Sequence, residues 1–393
     1  MSRYEDLTEK YWTQITNFAS EMIQIKSYSG EEGELAELVK DKMVELAYDK
    51  VWIDEAGNVV GKIAGSKSKK SIILNCHLDT VSVGNEKAWE YPPFSGEITD
   101  TEIWGRGASD TKATFALQIF APAILKKEKM LPDCDIYVTG VVHEEDSGIG
   151  SNILSKKIKA DYAIVGEATE NDIAIGHRGR MRYDIHIKGK AAHASTPKEG
   201  INPHFFLSEF TKKLNDFELD QDEFFGKSTI VPTIVKSNEE SSNIIPGEIT
   251  LTLDYRNVPS DTPEKVEAKL NKLIQSIDYD GEVVIDRYKF NVNCYTGLKQ
   301  EAYQGAPSFS ISPDKKLVKD AKHILEKALQ QDIDIKEWKF ATDSGYYKEQ
   351  GVDVIGFSPA EIKYCHTVED KIDLAMMKKG MVGYLALVKE LCD

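Results

Sequence analysis

The sequence predicts an α/β protein whose mostly parallel sheet carries helices on both faces and is interrupted by an inserted ferredoxin-like α+β domain. Amphipathic stretches alternate with short apolar strands over residues 1–177, and the same style returns over residues 291–393. Residues 178–290 instead follow the order β-α-β-β-α-β. Alternating strands and helices favour a parallel sheet, whereas the second order is typical of a ferredoxin-like layer. We therefore expect one main domain built from two chain segments, with a second domain inserted between them.

Periodicity indicates the elements of the main domain. Apolar residues recur at helical spacing in KYWTQITNFASEMIQI and GELAELVKDKMVELAY. Compact apolar runs predict the strands SIILNCHL, DIYVTGVV and DYAIVGE. After the insertion the sequence predicts the helix PDKKLVKDAKHILEKAL, the strand DVIGFS and a closing helix over residues 373–391.

The inserted segment has its own set of elements. The predicted order is strand RMRYDIHIKG, helix NPHFFLSEFTKKLNDF, strands STIVPTIVKS and EITLTLDYR, helix PEKVEAKLNKLIQSI and strand EVVIDRYKF. Two helices cover one face of such a sheet and leave the other face bare, so we expect contacts with a second copy along its edge or helices. A two-fold homodimer is the commonest outcome of such contacts.

Length and charge limit the functions that the chain can have. At 393 residues the chain exceeds one comfortable core, which favours two domains. Its formal net charge of −16 argues against nucleic acid or an anionic membrane as a partner. No apolar run approaches the ~18 residues of a membrane-spanning helix. We therefore expect a small-molecule substrate rather than a nucleic acid or a membrane.

The cysteines indicate the compartment. There are five, an odd number, scattered along the chain without any C-x-x-C pair. This pattern argues against a disulfide framework and against a cysteine-built zinc site. The opening MSRYEDLTEKYW also lacks the pattern of a signal peptide. We therefore expect the protein in the cytoplasm.

Histidine and acidic residues stand where the predicted strands end. His77 and Asp79 close one strand, Glu144 and Glu145 follow the next, and Glu167 follows a third. Active sites of open α/β sheets gather at the carboxyl ends of strands, so we expect these side chains to meet. Asp79 lies two residues after His77, and its carboxylate can take the second ring N–H of that histidine. A surface His/Asp pair is the alternative for these two residues alone.

Two further candidates lie in loops. Asp110 follows the glycines of WGRGASD and precedes a helix, where N-capping alone would explain it. His366, in KYCHTVEDKI, lies ahead of the last helix. With the strand-end residues they form a set of hard and borderline ligands that suits zinc, cobalt or manganese. Divalent cations would stabilise the crowded acids, whereas solubility alone is the other explanation of the acidic surplus.

Seven motifs in a fixed order carry a resemblance to a known family. They are HLDTV, GRGASD, HEEDSGIG, VGEAT, AAHASTPKEGIN, SSNIIPGEITLTLDYR and CHTVED. In order and spacing they resemble the co-catalytic dinuclear zinc metallohydrolases that include aminoacylase, carboxypeptidase G, acetylornithine deacetylase and succinyl-diaminopimelate desuccinylase. The resemblance extends over almost the whole chain.

The resemblance implies a ligand set for two divalent metal ions. His77 and Glu167 match ligands of the first metal, Glu145 and His366 match ligands of the second, and Asp110 matches the carboxylate that bridges both. The family also commonly has a non-proline cis peptide bond directly after the bridging aspartate. We therefore expect a cis bond after Asp110.

The resemblance also implies roles beyond metal binding. Glu144 matches the general base, and Asp79 matches the partner of the metal-binding histidine. His193 matches a histidine that stabilises the oxyanion from the opposite subunit of a dimer, although a loop histidine is the simpler interpretation of this residue alone. Asn243 and Arg256 match binders of the substrate carboxylate, whereas a strand-end arginine in a surface ion pair is the structural alternative.

These assignments predict a homodimeric metal-dependent hydrolase that cleaves the amide bond of an N-acyl amino acid or a small peptide-like substrate. Carboxypeptidase or dipeptidase activity is an alternative within the family, although glutamate at position 167 leans towards deacylation. A catalytically silent amino-acid-binding protein is a rival from another class, but it would not need Glu144 as a base. A two-metal phosphatase is a third possibility, and the sequence lacks a phosphate-cradling glycine loop of the P-loop kind.

Overall fold

The computed structural model describes residues 2–67 and 70–391, which form a large α/β domain and a smaller inserted domain. No helix in this part of the chain is both long and apolar enough to cross a membrane. The α-helices of the described residues are Arg3–Gln24, Gly33–Glu45, Ala113–Lys127, Ile149–Lys157, Pro203–Lys213, Pro263–Gln275, Lys316–Leu329, Ser344–Glu349 and Leu374–Glu390.

The large domain is built on an eight-stranded mixed sheet with parallel strands at its centre. Its central strand, Ser71–His77, pairs in parallel with Asp135–Val141 on one side and with Tyr162–Val165 on the other. Two antiparallel strands extend the sheet beyond Asp135–Val141. In spatial order the strands are Lys50–Ile53, Val59–Ile63, Asp135–Val141, Ser71–His77, Tyr162–Val165, Asp353–Gly356, Ile173–Ala174 and Ile335–Lys336.

Helices cover both faces of this sheet. Adjacent residues of the central strand lie in different hydrophobic clusters, Leu74 with Phe115 of one helix and Ile73 with Tyr347 of another. All residues of the strand after the first are buried. Burial on two faces explains why this strand is apolar throughout instead of alternating. The predicted fold class is confirmed.

The inserted domain contains four long antiparallel strands, Thr229–Ser237, Glu248–Arg256, Arg180–Lys188 and Glu282–Arg287 in spatial order. Its two helices supply Phe206, Phe210, Val266 and Leu270 to a hydrophobic cluster separate from those of the large domain. This is the predicted ferredoxin-like chain order. The domain boundaries at 177/178 and 290/291 stay predictions.

Shorter pairings complete the described strands. They are Ala192–His193 with Ile244–Ile245, Gln221–Asp222 with Gly226–Lys227, Gly176–His177 with Phe309–Ser310, Gly305–Ala306 with Arg180–Lys188, and the set Glu97–Ile98, Glu102–Trp104 and Lys371–Asp373.

The predicted strand EVVIDRYKF is interrupted. It ends at Arg287, and a hairpin of Lys289–Asn293 and Lys299–Tyr303 follows. In the turn of that hairpin, the Tyr295 hydroxyl donates a hydrogen bond of 2.9 Å to the main-chain oxygen of Gly57 in the large domain. The hairpin therefore owes its place to contacts with a distant part of the chain, which periodicity along a strand does not reveal.

The described cysteines differ in state. Cys76, Cys294 and Cys365 are free thiols, whereas Cys134 takes part in a disulfide bond. Cys392 lies outside the described residues. One bonded cysteine is not a framework of several bridges, but it weakens the cysteine argument for a cytoplasmic location.

Two phenylalanines of helix Pro203–Lys213 provide a matched test of the inserted domain's core. Phe210 is fully buried, whereas Phe205 is 76% exposed. Phe210→Ala should lower the free energy of unfolding by about 3–5 kcal/mol because it leaves a cavity. Phe205→Ala should change it by less than about 0.5 kcal/mol. Denaturant unfolding followed by circular dichroism measures both changes, and equal losses would contradict the packing of this helix.

Candidate metal centre

Three neighbouring strands deliver side chains to one edge of the large sheet. His77 ends the central strand, Glu144 and Glu145 follow the strand on one side of it, and Glu167 follows the strand on the other side. The three strands are parallel, so their carboxyl ends meet at the same edge. The structure thus brings these residues together as the sequence predicts.

The five predicted ligands form two groups that share Asp110. His77 Nε2 lies 3.0 Å from Asp110 Oδ1 and 3.5 Å from Glu167 Oε1. His366 Nε2 lies 3.0 Å from Asp110 Oδ2 and 3.1 Å from Glu145 Oε2. In each group the candidate ligand atoms lie within 4.8 Å of one another. The two oxygens of Asp110 face different groups, as a carboxylate must in order to bridge two cations.

The acidic residues of the site repel one another. Burial and the charge of Asp110 raise the pKa of Glu167 well above its usual value. Burial and the charge of Glu167 raise the pKa of Glu144 in the same way. In the absence of cations, such carboxylates relieve their repulsion by binding protons.

The two histidines supply the compensating charge. Burial lowers the pKa of His77, but its hydrogen bond with Asp110 and the charge of Glu167 outweigh burial and raise that pKa well above its usual value. Hydrogen bonds to Asp110 and Glu145 raise the pKa of His366 to about 10. Burial would raise the pKa of Asp110, but its hydrogen bonds with the two histidines lower it well below its usual value. The site therefore requires positive charge at its centre.

The donor set fits divalent cations. Two imidazoles and three carboxylates are ligands that zinc, cobalt and manganese accept. Each group offers three residues, so a bound ion would keep coordination positions open for water and substrate. The same cations would supply the positive charge that the crowded acids require.

Asp79 supports the site in a different way from the one predicted. His77 Nδ1 lies 2.8 Å from the main-chain oxygen of Asp79 and 3.8 Å from its carboxylate. That carboxylate instead accepts hydrogen bonds from the main-chain N–H groups of Glu144 and Glu145, at 3.0 and 3.1 Å, and from the Ser29 hydroxyl at 2.7 Å. The expectation that the carboxylate takes the ring N–H is therefore wrong, because main-chain N–H groups of the next loop occupy both of its oxygens.

Glu32 completes this support, and sequence reasoning missed it. Its Oε1 accepts a hydrogen bond of 3.1 Å from the main-chain N–H of His143, whose φ is +57°. Three consecutive N–H groups, from His143 to Glu145, therefore end on the buried carboxylates of Glu32 and Asp79. In the sequence Glu32 is one acid among several in GEEGELAE, so no local signal singles it out.

Asp370, also missed, holds the loop that leads to the bridging carboxylate. It is fully buried and accepts hydrogen bonds from the main-chain N–H groups of Gly107, at 2.8 Å, and Ser109, at 2.9 Å. The Arg106 guanidinium lies 3.0 Å from the same carboxylate. The CHTVED motif contains Asp370, so the motif gave a signal although the sequence showed no reason for it.

Asp110 does not cap the helix that follows it. Helix Ala113–Lys127 has no side-chain hydrogen bond at its N-cap, and Asp110 itself has non-helical φ and ψ of −132° and 85°. The peptide bond between Asp110 and Thr111 is cis, as expected. The capping interpretation is thereby wrong, and the carboxylate is available to both histidines.

His193 and Asn243 lie away from the metal centre of their own chain. Both are exposed on the inserted domain, where the main-chain N–H of Ala194 donates a hydrogen bond of 2.8 Å to the main-chain oxygen of Asn243. The described residues that line the cavity at the metal centre include neither of them. Their predicted roles require a second chain or a movement of the inserted domain.

Arg256 does reach this cavity. Its side chain lines a space of about 460 Å³ together with Asp110, Glu144 and His366. Its Nε donates a hydrogen bond of 2.7 Å to Asp254. Arg256 therefore forms the ion pair of the structural alternative and also lines the cavity at the metal centre, and its role in binding a substrate carboxylate stays a prediction.

Comparison with known proteins supports the family resemblance that the sequence motifs carry. A sequence model described as peptidase family M20/M25/M40 matches residues 73–390. The uncharacterised protein YgeY of Escherichia coli (strain K12) is 28% identical over 369 residues, which cover 92% of this chain and 90% of YgeY. The succinyl-diaminopimelate desuccinylase of Aliarcobacter butzleri is 32% identical over 238 residues, which cover 58% of this chain and 63% of the relative.

A solved structure shares the fold. The aminopeptidase PepT from Bacillus cereus superposes with a TM-score of 0.76 at 19% identity, over 97% of this chain and 99% of PepT. The family model covers well over half of the chain, and the residues that it spans hold the shared-carboxylate site described above. The chain therefore belongs to peptidase family M20/M25/M40 and is a metal-dependent hydrolase.

Proposed function

We propose that this enzyme cleaves the amide bond of an N-acyl amino acid or a small peptide-like substrate, with Glu144 as the general base. The position of Glu144 carries the proposal. It lines the cavity with Asp110 and Glu145, yet among the described residues it belongs to neither candidate ligand group. A carboxylate beside the ligands that is not itself a ligand is free to exchange protons.

The protein's own residues have distinct tasks in this reaction. Two divalent cations, zinc first with cobalt or manganese as alternatives, would activate the attacking water and polarise the amide carbonyl. Glu144 takes the proton of that water and returns it to the leaving amine. Its position is set by the main chain, because the Asp79 carboxylate fixes its N–H and that of Glu145. A substrate carboxylate would bind Arg256.

Deacylation is favoured over carboxypeptidase or dipeptidase action. The support comes from the desuccinylase relative and from glutamate rather than aspartate at position 167. A catalytically silent binding protein remains the alternative from another class. It is disfavoured because binding alone gives no reason for Glu144 beside two complete ligand groups.

We further propose a homodimer formed through the inserted domain. Strand Thr229–Ser237 lies at the edge of its sheet and exposes Val231 at 50%, Ile234 at 44% and Val235 at 55%. An exposed apolar edge strand is a ready site for pairing with another chain. A two-fold dimer would allow His193 and Asn243, which lie outside their own cavity, to serve the partner's. A cytoplasmic location belongs to the same proposal; the three free thiols support it, and the disulfide-bonded Cys134 counts against it.

Glu144→Gln tests the general base. The variant keeps its shape but cannot accept a proton, so it should bind as much zinc as the wild type and lose about 10²–10⁴-fold in kcat. Metal analysis and assays on N-acetyl, N-succinyl and dipeptide substrates measure the two effects. Glu326→Gln is the control, since Glu326 pairs with Lys322 within helix Lys316–Leu329 and does not line the cavity at the metal centre. Near-normal turnover by Glu144→Gln would remove Glu144 from the chemistry.

Subunit exchange tests the role of His193. His193→Ala should bind metal normally and lose kcat, as should Glu144→Gln. In a mixed dimer, one site combines an intact Glu144 with a histidine from the other chain, so activity should rise well above that of either parent. If native mass spectrometry shows mixed dimers that stay inactive, then His193 does not act across the interface.

A further inference from the structure

The cavity at the metal centre is lined by groups of both charges. The large domain supplies the carboxylates of the candidate ligand groups, and two strands of the inserted domain supply the guanidinium groups of Arg180 and Arg256. The side chains of the two arginines are 40% and 43% exposed. The proposed function uses only Arg256, so the second guanidinium in the same cavity has no assigned task.

Asp254 accepts a hydrogen bond from each of the two arginines. Arg180 Nε donates a hydrogen bond of 3.0 Å to Asp254 Oδ2, and Arg256 Nε donates one of 2.7 Å to Asp254 Oδ1. Neither arginine forms an ion pair with an acid of the metal centre in the described chain, although all of them line one cavity. Asp254 is therefore the acid that holds both guanidinium groups in the described chain.

The terminal nitrogens of both guanidiniums remain available. Those of Arg180 have no hydrogen-bond partner among the residues that the structure describes, and Arg256 uses one only in a 3.5 Å contact with Asp254. Each guanidinium carries five N–H donors in a planar fork. The pair thus presents unused donors to the cavity, and two positive charges stand against the single negative charge of Asp254.

The backbone holds the two arginines beside each other. Arg180 follows Gly179 and Arg256 precedes Asn257, and these two neighbours exchange main-chain hydrogen bonds of 2.9 and 3.2 Å. Asp254 is two residues from Arg256 on the same strand, so the side chains of Asp254 and Arg256 lie on the same face of the sheet. The spacing of the guanidiniums is therefore set before any ligand arrives.

We propose that Arg180 is a specificity-determining residue that binds one carboxylate of the substrate together with Arg256. Asp254 is the positioning residue for both arginines. One carboxylate would balance the two guanidiniums and Asp254, and each of its oxygens would meet a different fork. Arg180 would then strengthen the preference for amides with a free carboxylate that binding at Arg256 alone implies. This inference rests on the proposed function, because it concerns substrates of the same site.

Arg182 provides a matched control on the same strand. It forms two hydrogen bonds to Asp184, of 3.1 and 2.9 Å, and one to Gln304 of 3.2 Å, and it stacks on Tyr288. It does not line the described cavity at the metal centre. Its donors are already used, so its removal should change stability without changing substrate choice.

The test compares each substrate of the N-acetyl, N-succinyl and dipeptide panel as a free acid and as its carboxamide. The wild type should prefer the acids in kcat/KM by about 10- to 100-fold, as expected for charge-assisted hydrogen bonds. Arg180→Ala should lose most of this preference through KM, Arg180→Lys should restore only part of it because lysine lacks the fork, and Arg182→Ala should keep it. A preference that survives Arg180→Ala, or that Arg182→Ala abolishes equally, would overturn the proposal.

A binding measurement separates this inference from the proposed function. Calorimetry measures the affinity of the zinc-loaded Glu144→Gln variant for the free acids and for their carboxamides without turnover. The same measurement is made with the double variant that also carries Arg180→Ala. If the acids bind selectively through Arg180 but the wild type hydrolyses none of the panel, the proposed function fails and carboxylate binding by the two arginines stands. If the wild type hydrolyses acids and carboxamides equally well, carboxylate binding by the two arginines is wrong and the proposed function stands.

Discussion

The repulsion among buried carboxylates is the constraint on which the rest of this structure depends. Asp110, Glu144, Glu145 and Glu167 converge on one edge of the sheet, and burial together with mutual charge raises the pKa of Glu144 and Glu167. Such a cluster is stable only with positive charge at its centre. The two histidines that face opposite oxygens of Asp110 mark where this charge belongs. Cation binding and folding of this edge are therefore linked.

The fold meets this constraint with fixed backbone rather than with flexible side chains. Carboxylates behind the site accept the main-chain N–H groups of the loops that carry the functional residues, as Asp79 does for Glu144 and Asp370 does for the loop before Asp110. Asp254 instead accepts side-chain N–H groups, those of the two arginines that line the same cavity. In each case a buried or half-buried acid is satisfied by local donors, so the groups that face the cavity are oriented in advance.

The sequence predicts those features that depend on local pattern. Apolar runs such as SIILNCHL identified the central strands, and the rule that parallel strands end at one edge placed His77 beside Glu167. Features that depend on contacts between distant residues were not accessible. Glu32 supports His143 across more than a hundred positions, and the hairpin around Tyr295 packs on a loop near residue 57. The sequence identified Asp79 as a supporting residue but not that its main-chain oxygen rather than its carboxylate faces His77, because N–H groups more than sixty positions away occupy that carboxylate.

The most direct test of the shared-carboxylate site is anomalous diffraction at the zinc edge from crystals grown with zinc. We expect two anomalous peaks, one within coordination distance of His77 and Glu167 and the other within coordination distance of Glu145 and His366. Each peak should lie next to a different oxygen of Asp110. A single peak at full zinc loading, or two peaks that do not share Asp110, would contradict the shared-carboxylate site.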